Sequence, residues 1–450
     1  ELVGLLGKGV GVHHAGLSDE ARALIEWLAE EGKLKVLCAT STVAQGINFP
    51  VSSVFLASRY LPQGHRAREM YPREFWNLAG RAGRMNHDSV GVVGLAADER
   101  SQAQVAEFVS RATGQLVSRL VNLLSELEQA GRLHQLETVI QGEQWEDFRC
   151  YVAHLWNEKQ SLDAVLADTE QLLRNTFGYG ILRTEPNGRA KADRLLEATR
   201  NYVRRLAQSP GAVALADTTG FSPEGVGKAL AGLSQLEQKL TVADWSPEGL
   251  FGQGSHMAAL FGVMLRVPQL AESLRDLGGE GPGDRHLAEI TKAWVEGRGI
   301  QDIAREFFQA DQDQTRAITE ACKAIYRSLA NAGTWGISAL SRLSGLDMDQ
   351  LPEADRRRIN SLPAMVYHGV KTEDAVLMRM NSVPRSIAES MGDQYRSWAG
   401  ERQGDSELQQ ARRFLRELGS DGWDRVCPKG SHLSGAEFKR VWELLSGEKR

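Results

Sequence analysis

Arginine and glycine interleave in one short run, Asn77-Leu78-Ala79-Gly80-Arg81-Ala82-Gly83-Arg84. On a helix, Asn77, Arg81 and Arg84 stand at i, i+4 and i+7 and share one face. Gly80 and Gly83 each cost about 1 kcal/mol against alanine in a helix interior. Two such costs in one turn imply that something approaches the backbone closely. Paired guanidiniums are permanently charged and bidentate, which suits phosphoryl oxygens. An arginine that reaches a γ-phosphate contributes about 10³–10⁵ to the rate of nucleotide hydrolysis. Taken alone, the run also fits a solvated basic helix end.

Two earlier runs carry related chemistry. Thr40, Ser41 and Thr42 open the stretch Ala39-Thr40-Ser41-Thr42-Val43-Ala44-Gln45-Gly46-Ile47-Asn48-Phe49-Pro50. Its hydroxyls and backbone N–H groups can hold a strand's phosphates, a contact blind to base sequence. Gly46 allows close approach, and Asn48 can hydrogen-bond a sugar or a neighbouring segment. The plain alternative is an ordinary hydroxyl-rich loop. Upstream, Val12-His13-His14-Ala15-Gly16-Leu17-Ser18 joins a strand end to a helix start, although the two histidines could simply terminate the strand.

The elements that must position these runs alternate in type. Residues 10–13, 35–39, 53–57 and 90–95 read as short apolar strands, and 18–31 as a helix with Leu24, Ile25 and Leu28 on one face. A further helix begins near Pro72, a residue suited to a first helical turn. Strands apolar throughout and separated by helices imply a parallel sheet covered on both faces. Ligands in such folds bind at the carboxyl ends of the strands, where the second run sits. Beyond about Asp98 the period becomes 3.6: 102–130 and 146–175 read as helices, 177–189 as a β-hairpin turning at Asn187-Gly188, and 351–450 as a last helical unit. The Gly/Pro-rich stretches 246–255 and 278–283 read as loops.

With 450 residues, 42% apolar and 25% charged, the chain has material for several packed domains. No apolar run nears the roughly 20 residues of a bilayer crossing, and no export leader opens the sequence. Four dispersed cysteines, Cys38, Cys150, Cys322 and Cys427, read as reduced structural thiols rather than metal ligands or a disulfide framework. A cytoplasmic location, without membrane contact, is expected. The formal net charge of −5 leaves room for local basic tracks, because phosphate contacts act within about 8–10 Å in cell-like salt.

In order and spacing, HHAGLS…ATSTVAQGINFP…NLAGRAGR resembles the second motor lobe of DExH-type superfamily-two helicases. The branch is the one holding archaeal DNA-repair and eukaryotic RNA-exosome helicases. The resemblance implies a RecA-like α/β lobe over 1–98, with a parallel sheet covered by helices, followed by mostly α-helical domains. These would be a winged-helix-like linker region with the hairpin (99–190), a ratchet-like helical bundle (191–345) and a helix-hairpin-helix-like module (346–450). By that resemblance Arg81 and Arg84 match arginine fingers, and Gly46, Asn48, Asn77 and Gly80 lie on the ATP side. His14, Ala15, Gly16, Thr40, Ser41 and Thr42 match positions that hold the tracking strand. Asn77 departs from the usual glutamine, which shortens a nucleotide or interlobe contact.

Residues 290–308 and 315–329 resemble the bundle whose long helix touches translocating bases. Arg316, Lys323 and Arg327 fall near one face there, and Ile318, Cys322, Ile325 and Leu329 near the other. Arg316 matches a basic position of the family, whereas Lys323 replaces a frequent aromatic. A solvated charge face is the plain alternative. Residues 367–392 resemble a helix-hairpin-helix, whose amides can hold phosphate, or else a simple packing unit. Thr334-Trp335-Gly336 reads as core.

No G-x-x-x-x-G-K-[ST] occurs, and Gly7-Lys8-Gly9 lacks the following hydroxyl. No DExH box occurs either. Both belong to the family's first lobe, so the sequence reads as a C-terminal portion that is inactive on ATP by itself. The implied activity is ATP-dependent 3′→5′ translocation on single-stranded DNA or RNA. ATP and Mg²⁺ would be held mainly by a missing N-terminal motor lobe. Rival readings are a non-catalytic nucleic-acid-binding scaffold, or a helicase subunit beside a nuclease or another repair or bacterial defence subunit.

Overall fold

The computed structural model describes residues 2–14, 17, 19–40, 51–58, 60–63, 66–70, 72–79, 82, 91–96, 140, 145–184, 187–275, 283–308, 313–398, 406–428, 431 and 433–448. The chain divides into two compact units, residues 1–117 and 118–450.

In the first unit, α1 (Leu2–Leu6) leads into β1 (Val10–His13), α2 (Asp19–Glu30) and β2 (Val36–Ala39). The two strands run parallel, Val10 opposite Val36 and His13 opposite Ala39, and α2 forms the crossover a parallel pair requires. Ile25 on α2 is buried. It packs close to Gly11, where a Cβ would stand 2.6 Å from Leu34 Cδ1. Farther on, β3 (Ser53–Leu56) pairs parallel with β6 (Val92–Leu95). Between them come an antiparallel hairpin, β4 (Tyr60–Gln63) and β5 (Arg66–Glu69), and the helix α3 (Pro72–Ala79). Phe75 and Ala79 of α3 close on Leu56 and Met70.

Two expectations change here. Among the described residues the strands form two parallel pairs and one antiparallel pair, not one continuous sheet. Nor are both faces covered: Val36, Phe55 and Val92 are 52%, 77% and 52% exposed. Val54 and Leu56 face the α3 cluster, so Phe55 between them points to the opposite side by the period-two rule. Leu24, expected on one face with Ile25 and Leu28, is 39% exposed, whereas Ile25 is buried. The hairpin was not foreseen. Pro62 and Gln63 interrupt the apolar alternation by which a strand is read.

The second unit is helical throughout its described residues. Its helices are α4 (Glu146–Lys159), α5 (Leu162–Arg174), α6 (Phe177–Thr184), α7 (Gly188–Leu206), α8 (Pro210–Thr219), α9 (Pro223–Ser234), α10 (Pro247–Phe251), α11 (Met257–Met264) and α12 (Pro268–Arg275). There follow α13 (Asp284–Val295), α14 (Ile300–Phe307), α15 (Gln314–Cys322), a π-helix (Lys323–Gly333), α16 (Thr334–Leu343), α17 (Glu353–His368), α18 (Glu373–Met380), α19 (Arg385–Arg396), α20 (Glu407–Glu417), α21 (Ser420–Val426) and α22 (Gly435–Leu445). One apolar core runs from Ile140 to Trp442, across the boundaries expected at 190 and 345.

The hairpin expected over 177–189 is instead a helix–turn–helix. Thr176 Oγ1 accepts from Tyr179 N–H at 3.2 Å, which starts α6, and Tyr179 and Leu182 are buried one turn apart. Asn187 takes the left-handed conformation (φ 58°) and Gly188 opens α7, where a Cβ would lie 1.7 Å from Leu182 O. Asn-Gly supplies the left-handed turn that a β-hairpin also uses, but here it reverses two helices. The helix expected over 146–175 breaks at Gln160, also left-handed (φ 50°), before Ser161 caps α5. The stretch expected as a loop around 246–255 holds α10, capped by Ser246 Oγ accepting from Gly249 N–H at 3.0 Å.

Candidate functional site

Two backbone junctions touch the three chemistry-bearing runs of the first unit, one joining the first run to the start of the second, the other joining the residue after the second run to the third. At the carboxyl ends of β1 and β2, Thr40 N–H donates to His13 O at 3.2 Å, so His14 and Thr40 leave the sheet at one edge. Leu17 N–H then donates to His14 O at 3.1 Å and turns the chain. The two histidines differ. His13 is buried, with Nε2 2.8 Å from Glu26 Oε1 on α2, and anchors strand to helix. His14 is half-buried and Thr40 exposed, so both have a solvent-facing side.

The second junction joins Val51 and Ala82 by a parallel bridge. Val51 directly follows the hydroxyl-rich run, and Ala82 lies inside the arginine run. The 40–51 segment thus begins beside the first run and ends beside the third. Of the arginine run, the structure describes Asn77, Leu78, Ala79 and Ala82. α3 ends at Ala79, Ala82 N–H donates back to Ala79 O at 3.0 Å, and Ala82 pairs as a strand residue. Asn77 sits in the last turn of α3. Ala15, Gly16, Ser41, Thr42, Gly46, Asn48, Gly80, Arg81 and Arg84 lie outside the described residues.

In the second unit, α15, the π-helix and α16 form one unbroken rod. The residues at both junctions, Lys323 and Gly333, keep right-handed helical angles. Small side chains form its inward face: Ala317, Ala321, Ala324, Ala332 and Gly336 are buried together with Ile325, Leu329 and Leu340. Gly336 is required, because a Cβ there would stand 2.6 Å from Met264 Sδ. Arg316, Lys323, Arg327 and Asn331 lie on the exposed side, as read for the first three. Lys323 Nζ donates to Glu320 Oε1 at 2.9 Å, which lowers its availability to an anion. Asn331 Nδ2 donates to Arg327 O at 2.8 Å. Trp335, read as core, is half-buried and donates Nε1–H to Thr219 O at 2.8 Å.

Comparison with known proteins finds relatives of part of the chain. No family model matches the chain. The antiviral helicase SKI2 of Saccharomyces cerevisiae is 46% identical over 89 residues, 20% of this chain and 7% of that protein. The ATP-dependent RNA helicase mtr4 of Schizosaccharomyces pombe is 39% identical over 103 residues, 23% of this chain and 9% of that protein. The DExH-box ATP-dependent RNA helicase DExH11 of Arabidopsis thaliana is 40% identical over 92 residues, 20% and 7% respectively.

Part of this chain is a relative of SKI2- and MTR4-type DExH-box helicases.

The matched stretch is 7–9% of the length of these relatives, so the rest of the chain stands on its own geometry. The segment read as helix-hairpin-helix-like holds α18 and α19, with Ser382 in the left-handed region (φ 64°) between them. Gly392 lets the helices touch: a Cβ would lie 2.9 Å from Ala375 N. Arg385, at the first position of α19, locks this hairpin to the α13–α14 turn. Its Nε donates to Gly369 O at 2.7 Å and its Nη1 to Arg298 O at 3.1 Å, while Nη2 bonds Trp294 O. Its guanidinium carbon lies 3.7 Å from the Trp294 ring centroid. Nothing in the spacing around Arg385 signals this role, since all three acceptors are backbone carbonyls remote or neutral in sequence. No helix among the described residues is long and apolar enough to cross a membrane.

Proposed function

We propose that this chain is the portion of an ATP-driven superfamily-two helicase that completes the nucleotide site and grips the tracking strand. The observation that carries the proposal is the pair of junctions at Thr40–His13 and Val51–Ala82, which link the first motif to the second and the end of the second to the third. The matches span 89 to 103 residues, close to the length of the motif-bearing stretch 1–98, and the matched proteins are named as RNA helicases. That naming favours single-stranded RNA over DNA as substrate.

In this reading residues 1–98 form a RecA-like second lobe. A P-loop-bearing first lobe binds ATP and Mg²⁺ across a cleft, with Gly46, Asn48, Asn77 and Gly80 on this side of it. Arg81 and Arg84 reach the γ-phosphate as the lobes close. His14 to Gly16 and Thr40 to Thr42 hold the strand's backbone, and the exposed face of the α15–π–α16 rod, with Arg316 and Lys323, guides it 3′→5′. Nucleotide state then biases strand grip through lobe closure.

The test is Arg84→Ala in the chain assembled with its P-loop lobe. RNA-stimulated ATP hydrolysis is expected to fall by about 10³-fold or more, with an unchanged melting temperature. Undiminished turnover removes the arginine-finger assignment. Unwinding of matched RNA and DNA tailed duplexes decides the substrate.

A further inference from the structure

Apart from the rod, the second unit holds a cleft of about 470 Å³ where α9, the α11–α12 turn and α12 meet, with Lys228, Arg266, Glu272 and Arg275 at its polar wall. Elsewhere in this unit many arginines are neutralised: Arg200 by Glu170, Arg396 by Asp374, Arg416 by Glu448. The cleft differs. Among the described residues none of its three cations has a carboxylate oxygen within 4.0 Å, and Glu272 makes no ion pair either. Arg266 is instead oriented by a neutral group, its Nη1 donating to Gln235 Oε1. That contact fixes the guanidinium without cancelling its charge. Three like charges converging on a concave surface raise one another's electrostatic energy and draw anions to the site. Leu265 and Ala271 supply apolar walls, and the volume suits a group of nucleotide size.

We propose that this cleft is a phosphoryl-binding subsite, with Lys228, Arg266 and Arg275 as its ligands. Its assigned occupant is a phosphodiester of the single strand engaged by the chain, an assignment that rests on the helicase reading. A free phosphate ester offers the same chemistry. Glu272 opposes the oxyanion and tunes the affinity down.

The experiment measures binding of a labelled single-stranded RNA, and of tripolyphosphate, to the full chain across a salt series. The triple variant Lys228→Gln/Arg266→Gln/Arg275→Gln should lower the slope of log affinity against log salt by about 2, at roughly 0.7 per lost single-strand phosphate contact. It should also weaken RNA binding by about tenfold or more at low salt. Glu272→Gln should tighten both ligands, and tripolyphosphate should compete with RNA on the native protein alone. If the triple variant loses tripolyphosphate but keeps its RNA slope, the strand assignment falls and the oxyanion site stands. Unchanged binding of both ligands overturns the proposal outright. Arg316→Gln/Arg327→Gln on the rod is the separate control: loss of RNA binding there, with the cleft variant neutral, also overturns it. The reverse pattern keeps the cleft and sinks the rod's part in the helicase reading.

Discussion

Asp244 illustrates how much a single carboxylate does in the helical unit. Its Oδ2 accepts from both the N–H and the hydroxyl of Thr241 at 2.7 Å, and its Oδ1 lies 3.0 Å from His256 Nε2. The backbone and hydroxyl donors of Thr241, helped by His256, hold the carboxyl below its ordinary 3.8. A group whose folded value is lowered stabilises the fold fully above its unfolded value and loses that contribution as pH falls through the folded one. Asp244→Asn should therefore lower the urea midpoint most at about pH 6–7, and the gap from the native protein should close towards about pH 3. A gap independent of pH would show that the Thr241 turn, and not the charge, carries the effect. At the same scale His13 and His14, adjacent in sequence, part company: His13 is buried against Glu26, and His14 is half-buried at the strand edge.

Among elements, the α18–α19 hairpin is held by one side chain more than by any long apolar seam to α13. Arg385 satisfies three backbone carbonyls and stacks on Trp294. Gly369, left-handed at φ 64°, admits the indole, since a Cβ would lie 2.3 Å from Trp294 Cε2. Arg385→Ala should destabilise the unit by about 2–4 kcal/mol, combining charged hydrogen bonds with a cation–π contact. Arg385→Lys should restore little of this, because an ammonium cannot reproduce the planar fork. Chemical denaturation of both variants checks the point, and full rescue by lysine would reduce the joint to simple charge. The rod makes a related case. A π-helix with i→i+5 bonding is rare and concentrates at functional positions, and here it carries Lys323, Arg327 and Asn331 on its exposed side.

For the whole molecule, formal charge is a poor guide. A net −5 coexists with a cleft lined by three cations and one carboxylate and with an exposed basic stripe, because phosphate recognition depends on charge within a Debye length. The absence of a P-loop sequence from these 450 residues makes a prediction at this scale. The chain alone should show no RNA-stimulated ATP turnover, and a supplied P-loop lobe should restore it. Turnover by the chain alone, surviving in a preparation with Arg81 and Arg84 both changed to alanine, would sink the division of labour proposed for the two lobes.

What residue order determined by itself was the local and the chemical. The parallel pairs at Val10–His13 and Val36–Ala39, the α3 start at Pro72 and the outward side of the 316–327 helix all follow from side-chain period and from where proline and glycine stand. The relationship to DExH-box helicases was likewise legible in three short runs. Tertiary structure decided what local preference leaves degenerate. Asn187-Gly188 favours a left-handed turn in either a hairpin or a helical corner, and burial of Tyr179 and Leu182 against the helical core selected the corner. Ala82 stands in a run read as helical, and its strand-like bridge to Val51 is a contact that only the tertiary structure sets. Lys228, Arg266 and Arg275 share no period at all, so only folding could make them neighbours.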